Sequence, residues 1–150
     1  MEQPLIVEKR GPVLVLTLNR PEVKNAASYE LACAMADALD QLDADDSLSV
    51  AILTGAGGNF CTGMDLKGFL QGKRPSIPGR GFCAVTEAPP RKILIAAVEG
   101  YALAGGFELA LGCDLIVSSS AAKFGLPEVK RGLVAAAGGL LRLPKRLPYH

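Results

Sequence analysis

The sequence predicts an α/β fold with a buried sheet, and three observations carry that expectation. Apolar, β-branched runs suited to strands recur at Val13–Asn19, Ser49–Thr54, Ile93–Val98 and Asp114–Ser119. Between the first two, Leu31, Met35, Ala38 and Leu42 fall at the spacing of an amphipathic helix. Glycine-rich loops follow two of the runs, so strand, loop, helix and strand alternate along the chain.

Each element has a local reason. Leu5–Arg10 and Val13–Asn19 flank Gly11-Pro12, which reads as two strands joined by a tight turn, and Asn19-Arg20-Pro21 ends the second strand. Ser28 suits the N-cap of the striped helix. The acids Asp43, Asp45 and Asp46, unfavourable at a helix C-terminus, predict a stop near Leu42. Ser49–Thr54 is continuous enough for a strand buried on both faces. Residues 71–81, rich in glycine, proline and basic side chains, predict a mobile surface loop. Gly105-Gly106 opens a helix to about Gly112, Asp114–Ser119 is a further strand, and Gly138–Arg146 is expected to be helical. Residues 140–150 end on an apolar and basic stretch without a polar tail, which leads to the expectation of a truncated or partly visible chain.

Composition excludes several function classes. The 150 residues are 49% hydrophobic and 21% charged, enough for one complete core. A net charge of +1 gives no electrostatic footprint for nucleic acid, and 5% aromatics without Trp offer no base-stacking platform. The single histidine is His150, which speaks against Ser-His-Asp or Cys-His catalysis and against a histidine-based metal site. Cys33, Cys61, Cys83 and Cys113 form no C-x-x-C pair, so zinc ribbons and thioredoxin-type sites lack support. Cys33 and Cys113 lie among apolar residues in predicted helices, where a free thiol acts as a small hydrophobe. The start, Met1-Glu2-Gln3-Pro4, has no basic stretch before an apolar run. The longest charge-free stretch, Ser47–Met64, is interrupted by glycines and does not read as a membrane span. A soluble, cytoplasmic chain with neither membrane nor nucleic-acid partner is expected.

Two loops could carry chemistry, because ligands in parallel α/β sheets sit beyond the carboxyl ends of strands. One presents Gly63-Met64-Asp65, the other Ala104-Gly105-Gly106 at the start of a helix. Two backbone N–H groups converging from such loops would make an oxyanion hole; read alone, each loop is also an ordinary turn with a helix cap. Neither matches a dinucleotide or phosphate-loop pattern. Among the carboxylates, Glu108 lies in the first helical turn, and Glu128 follows Pro127. Each has a plain alternative, a dipole-stabilising acid and a solvated loop acid respectively. A helix of eight residues travels about 12 Å and a six-residue strand returns about 20 Å, so the two acids can meet at one sheet edge. Apolar surroundings would raise a carboxyl pKa there, and the helix N-terminus would oppose the rise. Asp65 reads first as a cap or loop acid and Asp114 as structural; Lys123, Lys130, Arg131, Lys145 and Arg146 read as scattered surface charge.

Five segments in order resemble the N-terminal part of the crotonase superfamily, specifically enoyl-CoA hydratases. They are Leu18-Asn-Arg-Pro21 with Asn25-Ala26, Phe60–Leu66, Gly100–Ala110, Cys113-Asp114 and Phe124–Glu128. The resemblance implies a crotonase-like core, the ββα superhelix, over residues 1–150, with the family's C-terminal helical region missing. It implies an acyl-CoA thioester substrate whose oxygen is held by the backbone N–H groups of Met64 and Gly105. Asp65, Leu66 and Lys67 would lie along the substrate, and Val23 and Lys24 would touch coenzyme A. Glu108 would orient and deprotonate water, and Glu128 would supply the proton to the α-carbon. No metal or redox cofactor is implied, coenzyme A being part of the substrate. Ala104 replaces a glycine often seen in this loop. The implied activity is reversible hydration of a trans-2-enoyl-CoA in fatty-acid β-oxidation, by a homotrimer or hexamer. Two other readings stay open: a dehydratase or isomerase of another thioester such as carnitinyl-CoA, suggested by Gly105–Leu111 and Leu141–Lys145, and a non-catalytic acyl-CoA-binding protein.

Overall fold

The computed structural model describes residues 3–148; Met1, Glu2, Tyr149 and the sole histidine, His150, lie outside the described residues. Strands β1 (Leu5–Arg10) and β2 (Val13–Leu18) form the antiparallel pair expected around Gly11-Pro12. Helix α1 (Tyr29–Ala44) follows, its first turn capped by Ser28, whose Oγ accepts the Leu31 N–H at 3.2 Å. Leu31, Met35, Ala38, Leu39 and Leu42 bury the predicted stripe. The helix ends at Ala44, close to the expected stop near Leu42, and two of the acids there meet tertiary partners. The Asp43 carboxylate accepts the Arg91 and Lys92 N–H groups, and Asp45 pairs with Lys9.

Strands β3 (Val50–Gly55), β6 (Ile93–Val98) and β8 (Leu115–Ser118) add to β2 in parallel, giving the order β1-β2-β3-β6-β8. Leu14, Leu16, Leu18, Ala51, Leu53, Leu94, Ala96 and Val98 line the buried face. The expectation that β3 is buried on both faces needs correction: Ala51 and Leu53 are buried, whereas Val50, Ile52 and Thr54 are only half covered. On neighbouring strands of that second face, Ile93, Leu115 and Val117 are exposed.

The 71–81 region also differs from expectation. After α2 (Leu66–Leu70), the chain forms a small hairpin, β4 (Ser76–Ile77) with β5 (Gly81–Phe82). Pro75 is buried and accepts the Cys83 N–H, and Arg80 bonds Asp40 of α1 at 2.8 Å. Glycine and proline therefore shape a tethered hairpin here rather than a free loop.

A second ladder of very short pairings lies beyond the carboxyl ends of the main strands. Ala27 bridges Met64, Cys61 bridges Ala102, and β7 (Tyr101–Leu103) pairs in parallel with β9 (Lys123–Gly125). Each of the main strands β2, β3, β6 and β8 is thus followed by a short stretch of this ladder and then a helix: Ala27 and α1, Cys61–Met64 and α2, β7 and α3 (Gly105–Gly112), β9 and α4 (Gly139–Arg142). This is the ββα repeat that the sequence resemblance implies. Helix α4 is shorter than expected, because Pro144 lies in a 3-10 turn at Leu143–Lys145 that follows it. All four cysteines are free; Cys33 is half buried in α1, and Cys113 caps α3 in the core.

Candidate active site

The ladder brings the two glycine loops into contact. Gly63 has φ +100°, and a Cβ placed there would lie 3.3 Å from the Gly105 nitrogen and 3.1 Å from Ala104 Cβ. The Gly63 carbonyl accepts the Ala27 N–H at 2.7 Å, and the Asp65 N–H donates to the Ala27 carbonyl at 2.9 Å. Met64 sits between these bonds, so the strand's alternation turns its own N–H to the other side. Among the described residues neither the Met64 nor the Gly105 N–H has an acceptor. Gly105 is the first residue of α3, where backbone donors are free and the helix dipole is positive.

Packing explains the glycines. A side chain at Gly105 would meet the Phe82 ring at 2.9 Å, and one at Gly106 would strike the Cys61 backbone. Ala104, before the helix, has φ +51° and ψ −130°, a conformation that glycine adopts without a Cβ penalty. Its carbonyl accepts the Phe107 and Glu108 N–H groups, and its N–H donates to Gly125.

Asp65 is the cap that the sequence suggested. Its Oδ1 accepts the Lys67 and Gly68 N–H groups at the start of α2, and Oδ2 pairs with Arg20 at 2.9 Å. Burial pushes its carboxyl up, but the Arg20 guanidinium and the amide donors outweigh this and hold it below its ordinary value. Sequence reasoning missed Asn25 as a hub. Its buried side chain accepts the Arg20 N–H and donates to the Ala56 and Asn59 carbonyls, tying the β2 exit to the Gly55–Asn59 turn. Its place beside Arg20-Pro21 was the signal available.

Glu108 is buried and Glu128 is half buried. Glu108 is 3% exposed, and its Oε1 accepts the Ala137 N–H at 2.8 Å and the Gly139 N–H at 2.9 Å. Burial pushes its carboxyl above the ordinary range. The two amide donors oppose that rise, the Glu128 charge adds to it, and Arg142 opposes it. Glu128 opens the 3-10 turn Glu128–Arg131, and its Oε2 is buried without a hydrogen-bond partner among the described residues. A buried carboxylate oxygen with no protein partner calls for water or a ligand. The amides at 137 and 139 have no side-chain chemistry to read in a sequence.

Val23 and Lys24 lie in and after the 3-10 turn Pro21–Val23. The Lys24 carbonyl accepts the Thr62 hydroxyl, two residues before Met64, and Lys24 Nζ lies 5.0 Å from the Tyr101 ring. Leu66 and Lys67 are exposed on α2 next to Asp65. Asp114 is structural: its Oδ2 accepts the Leu94 N–H at 2.9 Å. Arg146 is not free surface charge, since it donates to the Leu111 and Cys113 carbonyls. The described residues hold no cluster of three or more His, Cys, Asp or Glu, and no helix long and apolar enough to cross a membrane.

Residues 8–150 match the protein family described as enoyl-CoA hydratase/isomerase. The chain is 43% identical to "Enoyl-CoA hydratase EchA19" of Mycobacterium tuberculosis, covering 96% of this chain and 57% of that relative. It is 45% identical to "Carnitinyl-CoA dehydratase" of Proteus mirabilis, covering 99% of this chain and 58% of the relative. The crystal structure of enoyl-CoA hydratase EchA1 from Mycobacterium marinum superposes with a TM-score of 0.96 at 60% identity, over 99% of this chain and 58% of that one. A carnitinyl-CoA hydratase from Mycobacterium avium gives 0.93 at 42% identity, over 99% and 58%. This chain therefore spans a little over half the length of these relatives. With the ββα repeat, the paired loops and this likeness along its length, the chain belongs to the enoyl-CoA hydratase/isomerase family.

Proposed function

We propose that this chain forms the catalytic core of an enzyme that adds water reversibly to a trans-2-enoyl-CoA. One observation carries the proposal: Glu108 on α3 is buried and fixed by two backbone amides, and Glu128, opening a separate 3-10 turn, keeps a buried oxygen unpartnered. The Met64 and Gly105 N–H groups hold the thioester oxygen and stabilise the negative charge that builds on it, so no metal or redox cofactor is needed for polarisation. Glu108, fixed by the Ala137 and Gly139 amides, orients a water molecule and takes its proton. The water oxygen bonds to the β-carbon, the double-bond electrons move onto the thioester oxygen, and Glu128 delivers a proton to the α-carbon as the carbonyl re-forms. Exchange with solvent resets both carboxyls. Asp65, Leu66 and Lys67 run along the substrate, and Val23 and Lys24 contact the coenzyme A moiety.

The test follows crotonyl-CoA hydration by loss of enoyl-thioester absorbance, in the full-length polypeptide that carries this chain. Glu108→Gln and Glu128→Gln should each lower kcat by about 10²–10⁴-fold, the usual contribution of a positioned acid or base. Unchanged rates in both variants would overturn the assignment.

The 45% identity to the Proteus relative named a carnitinyl-CoA dehydratase is compatible with a second reading, a more polar acyl group in the same chemistry. Competition between crotonyl-CoA and crotonobetainyl-CoA separates the two; thioester binding without turnover would point to a non-catalytic acyl-CoA-binding protein. We further propose a cytoplasmic homotrimer or hexamer acting in fatty-acid β-oxidation. The exposed apolar side chains Leu115, Val117, Leu133, Val134 and Leu141 support an assembled state.

A further inference from the structure

The carboxylate of Glu108 is held by a turn with little regular structure of its own. Ala137 and Gly139 supply the two N–H groups, and Gly138 between them has φ +96°. Helix α4 behind the turn is only four residues long. One side chain reaches back across the turn. Arg142 donates through one guanidinium nitrogen to the Ala137 carbonyl at 3.3 Å and through the other to the Thr86 carbonyl at 2.7 Å. The guanidinium lies directly on Gly138, where a Cβ would meet its central carbon at 3.2 Å and clash with Nη1.

The second anchor leads to the other half of the site. Thr86 Oγ1 accepts the Phe82 N–H at 2.8 Å, and the Phe82 ring packs against Gly105. A single guanidinium therefore joins the turn that grips Glu108 to the segment that backs the Gly105 N–H. A planar fork presents two donors at fixed angles to carbonyls from separate segments, whereas an ammonium on a flexible stem holds such a pair with looser geometry.

From this geometry we infer that Arg142 is a positioning residue, which sets Glu108 relative to the Gly105 donor by clamping the Ala137–Gly139 turn to Thr86. The inference rests on the hydratase reading above for its consequence in catalysis, but its structural part can be read without turnover.

The experiment compares Arg142→Lys and Arg142→Gln with wild type in the full-length polypeptide. Amide hydrogen exchange is measured at Ala137 and Gly139, with the β3 and β6 amides as a control for the fold. Both variants should lose about tenfold or more protection at Ala137 and Gly139 while β3 and β6 keep theirs. With crotonyl-CoA, kcat should fall about tenfold to a hundredfold, the cost of a misplaced catalytic group, with KM within about twofold. Unchanged protection in Arg142→Gln, or a loss spread equally over β3 and β6, would overturn the inference. Full protection in Arg142→Lys would do the same, since it would show that the guanidinium fork is not required. If wild type hydrates no enoyl-CoA while exchange behaves as stated, the hydratase reading falls and the clamp stands.

Discussion

Gly106→Ala tests the contact on which the proposed oxyanion hole depends. The added Cβ would overlap the Cys61 carbonyl oxygen and would lie 2.6 Å from the Cys61 carbonyl carbon and 2.8 Å from its Cβ. Carbon atoms rest at about 3.5–4.0 Å, so the loop and α3 must part by about an ångström. Gly106 directly follows one of the two proposed donors, Gly105, and Cys61 precedes the other, Met64, by three residues. The same shift therefore pulls Met64 away from Gly105. Losing one such donor costs about 10²–10³ in kcat, and overpacking costs about 1–3 kcal/mol of stability. For a domain of this size that lowers Tm by roughly 2–4 °C per kcal/mol. The assay is crotonyl-CoA hydration well below the melting temperature, with a thermal melt alongside. Gly112→Ala supplies the control on the same helix: its tightest contact is the Val85 Cγ1 methyl at 3.1 Å, which can yield, and its contacts with Thr86 at 3.8 and 3.9 Å are ordinary van der Waals distances. That variant should keep kcat within about threefold. A Gly106→Ala enzyme with wild-type kcat, or an equal loss in Gly112→Ala, would refute this account of the hole.

Two further outcomes follow from backbone and burial. Ala104→Gly should stabilise the protein by about 1 kcal/mol, because φ +51° with ψ −130° strains any side chain; urea unfolding would read the gain. Glu108 contributes to stability with the opposite pH sense to most carboxylates. Burial raises its folded pKa above the ordinary value of 4.5, so within that window the folded state binds the extra proton and stability falls as pH rises. Relative to Glu108→Gln, wild type should thus gain stability on acidification from neutral pH toward 4.5. Melting curves across that range check the sign, and a relative loss would contradict it.

Local signals in the sequence determined a good part of this molecule. An apolar, β-branched run after Gly11-Pro12 set β2, the 3.6-residue stripe set α1, and Ser28 and Asp65 marked helix starts, because these effects act within a few residues. The order of five short motifs identified the family before any coordinates. Tertiary structure alone decided the rest. The second ladder consists of three-residue strands and single bridges, too short to leave a period in the sequence, yet it brings Gly63 against Gly105. The carboxylate of Asp43 at the end of α1 is met by the Arg91 and Lys92 N–H groups, far along the chain. The grip on Glu108 comes from amides 29 and 31 residues away, and its clamp from a guanidinium that reaches back 56 residues to Thr86. Backbone N–H groups are the same at every position, so only folding can determine which of them face a carboxylate.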